Sequence, residues 1–169
     1  MSCDLLPTER PGPHHQGDIV ELLYDGPFSW DLLIVHPPCT HLAVSGARWF
    51  KDKQLEQLDA LRFIGRLLKA PVHRICLENP VGIISSHFRK PEQIVQPWMF
   101  GHDASKTTCL WLKNLPLLTA TCVIRRTRYA NQTPSGQNKL GPSPDRWKLR
   151  SETYQGVAQA MAEQWGRLV

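Results

Sequence analysis

Two apolar runs that break at proline, with one helix-length stretch between them, set the narrowest limit on how this chain can fold. The first is DLLIVH at 31–36, followed at once by Pro37, Pro38 and Cys39. The second is VHRICL at 72–77, followed by Glu78, Asn79 and Pro80. Neither alternates polar with apolar residues, as expected of strands covered on both faces. Between them Leu55, Leu58, Leu61, Ile64, Leu67 and Leu68 recur at helical spacing over 54–69, and Pro71 stands just past the end. Strand, helix and strand with a crossover of this length predict a parallel pair in an α/β sheet. Ligands of such sheets gather at the carboxyl ends of the strands. Proline has no amide hydrogen, so Pro37 and Pro38 end the ladder and turn the chain stiffly. Cys39 and Glu78 are therefore expected at one rim.

The remaining segments read more coarsely. Residues 1–17 are irregular after a short start, and GDIVELLYDG (17–26) is a short helical turn or strand. Residues 81–100 read as loop, TTCLWL (107–112) as a third strand, and 125–148 as a basic loop rich in Pro, Gly, Asn and Ser. The last segment, 152–168, is an amphipathic helix with Val157, Ala160, Met161 and Trp165 on one stripe. At 169 residues the chain is expected to form a single domain over 1–169.

Composition narrows the class. No stretch approaches the roughly 18 apolar residues of a membrane span, and MSCDLLPTERPG lacks the basic and apolar regions of a secretory signal. Five cysteines without CxxC spacing argue against a disulfide framework or zinc ribbon and fit a reducing cytoplasm, bacterial or that of a phage-infected cell. The net charge of +5 permits a polyanionic partner, and the basic residues crowd late. Arg125, Arg126 and Arg128 are candidate phosphate contacts, with Tyr129 and Trp147 as candidate stacking platforms.

A thiolate and a carboxyl at one rim suit conjugate addition to a pyrimidine. The thiol attacks C6 while the acid holds N3, leaving C5 nucleophilic. HPPCT and LENP, at the ends of successive strands, resemble the Pro-Cys and Glu-Asn signatures of DNA cytosine-5 methyltransferases. Most of the chain is similar to small phage and prophage proteins of that methyltransferase-like kind. The likeness runs through SCDLLPTE, QGD, DLLIVHPPCTHLAVSGARWF, LENP, IVQPWMFGHDASKTTCLWLKNLPLL and VAQAMAEQWG.

The resemblance implies a mostly parallel, Rossmann-like methyltransferase fold with S-adenosylmethionine as methyl donor and cytosine in DNA, or a free pyrimidine nucleotide, as substrate. It makes Cys39 the nucleophile and Glu78 the N3 partner, with Asn79 ordering the loop and Pro37 and Pro38 shaping it. Lys106 falls beside the target base, Asp4 at the cofactor's ribose and Asp18 near its adenine. Arg48, after the Cys loop, is a candidate phosphate contact. The family's first strand and glycine loop have no counterpart ahead of SCDLLPTE, so the fold is expected to be incomplete on its N-terminal side. Strand 31–36 is then an edge strand, which a second copy of the chain could cover. The alternative reading is a catalytically inactive derivative, binding a nucleotide or a protein as a decoy or inhibitor.

Other chemistries lack their motifs. A zinc deaminase needs His-x-Glu and Pro-Cys-x-x-Cys, and neither is present. His36, Cys39 and His41 lack the paired spacing of a metal site, and no metal is expected. There is no Gly-x-Ser-x-Gly elbow, P-loop or dinucleotide fingerprint.

Overall fold

The computed structural model describes residues 1–168, the side chain of Trp49 excepted. The chain opens with a small ribbon in which β1 (Ser2–Asp4) pairs in parallel with β2 (His14–Gln16). Helix α1 (Ile19–Tyr24) follows, its first turn capped by Asp18, whose side chain accepts the Val20 amide. Then come β3 (Leu32–Val35), a 3-10 segment (Val44–Asp52), α2 (Gln54–Leu68) and β4 (Arg74–Pro80). Short pieces succeed them: α3 (Ile84–His87), β5 (Gln93–Val95) and β6 (Thr108–Lys113). The chain ends in α4 (Arg146–Ser151) and α5 (Gln155–Trp165).

The expected unit β3–α2–β4 is present, with β3 and β4 parallel and Val35 opposite Leu77. The expected mostly parallel, Rossmann-like sheet is not. The four-stranded sheet runs β3-β4-β6-β5, and β6 is antiparallel to both of its neighbours. The ribbon β1–β2 is a separate sheet rather than a strand of the main one. The fold is therefore mixed α/β. Chain length explains the reversal: β4 and β6 are joined through short pieces, with no helix long enough to carry the chain back for a third parallel strand. β5 instead turns through residues 96–107 straight into β6.

Two apolar layers cover the sheet. On one face Leu33, Val35, Ile75, Leu77 and Trp111 pack with Leu61, Ile64 and Leu67 of α2. On the other, Cys76, Leu110 and Leu112 meet Val157, Ala160, Met161 and Trp165, the whole expected stripe of α5. The buried indoles are satisfied, Trp111 Nε1 donating to the Arg89 carbonyl at 2.7 Å and Trp165 Nε1 to the Pro116 carbonyl at 3.0 Å. The first turns of α2 depart from expectation, since Leu55 and Leu58 are exposed. β3 stands at an edge of the four-stranded sheet. Among the described residues no helix is long and apolar enough to cross a membrane.

Candidate functional site

Parallel pairing of β3 with β4 carries one step further than the ladder itself. Val35 lies opposite Leu77, so the next residues, His36 and Glu78, come side by side on the sheet face that α5 covers. His36 Nδ1 and Glu78 Oε2 are 2.9 Å apart. An ionised carboxylate only accepts, so Nδ1 carries the hydrogen. The Glu78 side chain is 14% exposed and that of His36 39%. The second Glu78 oxygen takes no hydrogen bond among the described residues.

The neighbouring pair fixes the loop. Asn79, 1% exposed, donates from Nδ2 to the Pro37 carbonyl at 2.8 Å, which ties the proline turn to β4. Its Oδ1 is buried and takes no hydrogen bond among the described residues. Pro37 is buried, and Pro38 and Cys39 are exposed. The Cys39 carbonyl accepts the amides of Leu42 and Ala43, both at 3.0 Å, closing a turn behind the thiol. Ala43 then bridges to Gly82 beyond β4. Cys39 is thus presented outward from a loop held at both ends.

One expectation about Glu78 is corrected: it does not follow the second strand but lies within β4, paired across with Leu110 of β6. The reversal of β6 has a consequence at this rim. Its amino end, not its carboxyl end, arrives beside the ends of β4 and β5, and it brings Lys106 with it. A small cleft there is lined by Glu78, Gln96, Lys106, Thr108 and Tyr154, with Val157 of α5 below. The Lys106 ammonium donates to the Glu152 carbonyl at 3.2 Å, and its amide to Gln96 Oε1 at 3.0 Å. A second hollow, beside the Cys39 turn, is lined by Thr40, His41, Gly46, Phe50 and Lys53.

No family model, curated protein or solved structure matches the chain. The site is accordingly read from its own side chains.

The residues assigned to a cofactor do not join this rim by any hydrogen bond. Asp4 Oδ1 accepts the Leu6 amide at 2.9 Å and Asp18 Oδ1 the Val20 amide at 2.8 Å, so each carboxylate closes a local turn. They flank Cys3, whose thiol is pushed up by burial and then by the charges of Asp4 and Asp18. Both aspartates serve local turns, and the ribbon shares no ladder with β3. Arg48 is exposed on the 3-10 segment. Arg125, Arg126 and Arg128 are exposed, and Arg126 sits 3.7 Å from Asp103. Tyr129 is stacked on Trp98, with rings 6.1 Å apart and 8° from parallel, whereas Trp147 on α4 is 64% exposed. Among the described residues no three His, Cys, Asp or Glu side chains converge as metal ligands.

Sequence reasoning weighed His36 only as a metal ligand and missed Gln96 and Tyr154. His36 had a signal, since it follows Val35 as Glu78 follows Leu77 on the parallel neighbour. Gln96 and Tyr154 had none, because they arrive from elements that only the tertiary fold brings to this rim.

The thiols differ in a way that can be measured. Cys76 and Cys109 are pushed up first by burial and then by the Glu78 charge, so at a given pH fewer of them are thiolate. With a maleimide at pH 8, exposed Cys39 and Cys122 are expected to label first and Cys3 more slowly, while Cys76 and Cys109 label only after denaturation. Peptide mass mapping over time checks the order, and early labelling of Cys76 would mean that the sheet opens.

Proposed function

We propose that this rim engages the cytosine ring in the manner of the first half of a cytosine-5 methyltransferase reaction, with DNA as the substrate. The observation that carries the reading is the joint geometry of β3 and β4. One oxygen of Glu78 is fixed by His36, the other takes no hydrogen bond among the described residues, and the next loop presents an exposed thiol on a turn tied back to the same strand. Cys39 as thiolate forms a bond to C6, the C5–C6 π pair shifts to C4–C5, and the C4–N3 π pair moves onto N3, which takes a proton from Glu78. Carbon 5 of that adduct is nucleophilic. Without a methyl donor it picks up a solvent hydron, loses its original hydrogen and expels the thiolate. In duplex DNA the base must first leave the stack, at a cost of a few kcal/mol.

DNA as the partner rests on the exposed cations. Arg125 and Arg128 make no ion pair among the described residues, and Trp147 stands exposed between Arg146 and Lys148. Such a surface binds phosphates and stacks bases with little sequence preference.

The test is hydrogen exchange at C5. A cytosine-containing single strand is incubated with the protein in D2O, and its nucleosides are weighed by mass spectrometry. Exchange is expected above the protein-free rate, with Glu78→Gln lowering it by about 100-fold or more, the usual weight of general acid catalysis. The commitment of Asp4 and Asp18 to local turns favours a second reading, a nucleotide binder that performs no transfer. Binding seen by fluorescence anisotropy with no exchange would select that reading.

A further inference from the structure

So far His36 has served only to fix one oxygen of Glu78. His36 is the first residue after β3, its ring is bound through Nδ1 to Glu78, and its side chain stays partly open to water. Addition to C6 needs an acid at N3 at the pH where a thiolate also exists. A lone carboxyl exchanges its proton in the acid range, whereas an imidazole does so between about pH 5 and 8. A carboxyl in contact with an imidazole titrates with it as a pair, and the protons belong to the pair.

We infer that His36 is a positioning residue that also stores the proton Glu78 delivers to N3. The inference rests on the pyrimidine reading of the site. In the protonated pair the ring carries hydrogen on both nitrogens and Glu78 is a carboxylate. Passing the Nδ1 hydrogen to Glu78 leaves a neutral ring protonated at Nε2 and a neutral carboxyl. That carboxyl gives its proton to N3 as the sulfur–C6 bond forms, and the proton of the Cys39 thiol has already gone to solvent. When the thiolate leaves, N3 returns its proton to the pair. Nothing is oxidised or reduced, and the partly exposed ring gives the store a route for refilling from water.

The groups around the pair do not replace His36. On β4 and β6 the thiols of Cys76 and Cys109 are themselves pushed up in part by the Glu78 charge. Lys106 supplies a cation to the cleft but is held by the Glu152 carbonyl, and Tyr154 lines the far wall. Cys39, on the loop that follows His36, is the nucleophile.

The experiment compares C5 exchange by the unaltered protein, His36→Gln and His36→Ala from pH 5 to 8. A glutamine amide can still donate to Glu78, so it restores the contact but stores no proton. His36→Gln is expected to lose at least about tenfold at pH 7, a loss that shrinks toward pH 5 as free protons become more abundant. Thermal melts of all three proteins separate this from misfolding. If His36→Gln matches the unaltered protein at every pH, the histidine only positions, and the inference is overturned. If the unaltered protein exchanges nothing at any pH while its melt shows it folded, the pyrimidine reading falls, and the inference that rests on it falls with it.

Discussion

Cys39→Ser is expected to remove C5 exchange by a factor on the order of 1000 or more while leaving the melting temperature unchanged. A hydroxyl of similar size occupies the same place, but it is not ionised near neutral pH, and this rim has no base arranged to activate it. The fold should not notice the change. The Cys39 side chain is exposed, and the atom that holds the turn is its carbonyl, which accepts the amides of Leu42 and Ala43 and is the same in serine. A surface substitution of this kind stays within about 0.5 kcal/mol of neutral. The two buried thiols cannot take over. Cys76 and Cys109 lie in the sheet core, and burial and the Glu78 charge keep them protonated. Cys122 is exposed but lies beside Gly101, in the turn that follows β5. Persistence of exchange in Cys39→Ser would remove the nucleophile from the proposed chemistry and leave only the binding reading.

The parts of the fold that were legible in the sequence were those where periodicity alone decides. The α5 stripe of Val157, Ala160, Met161 and Trp165 is buried as its spacing demands, and α2 begins at Gln54 as its leucines predict. The direction of β6 was not legible. A strand covered on both faces reads as a continuous apolar run whether its neighbours are parallel or antiparallel, so TTCLWL carries no sign of its orientation. The short connection before it held that information, and β5 is only three residues long. Asp18 shows the opposite case. An aspartate two residues ahead of the buried Val20 is a helix cap by elementary rules, so this local use was legible. The juxtaposition of His36 and Glu78 does not depend on the direction of β6, because it rests on β3 and β4 alone. That is the one parallel pair in the main sheet, and its crossover helix was readable.

Gly82→Ala tests whether the loop behind Cys39 is as tightly held as its contacts imply. A methyl group at Gly82 would lie 2.2 Å from the Leu42 carbonyl oxygen, 2.9 Å from its carbon and 3.2 Å from the Ala43 α-carbon. All three are backbone atoms, so no side chain can swing aside. Leu42 is 1% exposed and anchored in the core, and its carbonyl accepts the Ile83 amide at 2.9 Å while Val44 donates to the Val81 carbonyl at 3.0 Å. Relieving the clash breaks this bridge, losing two hydrogen bonds worth about 1 kcal/mol each. Overpacking of a held segment adds roughly 1–3 kcal/mol. The expected loss is about 3–5 kcal/mol, or roughly 6–20 °C in a chain of this size. Gly65→Ala is the control. Its added methyl meets only the Phe88 ring edge at 3.4 Å, and inside α2 an alanine is favoured over glycine by about 0.5–1 kcal/mol. Gly65→Ala should therefore melt at the same temperature or slightly higher. Assayed at 10 °C, where Gly82→Ala stays folded, that variant should still exchange C5 hydrogen far more slowly than the unaltered protein, because the turn that aims Cys39 begins three residues before Leu42. Unchanged melting and exchange in Gly82→Ala would mean that the loop moves freely against β4, and the alignment of thiol and carboxyl could not then be a property of the fold.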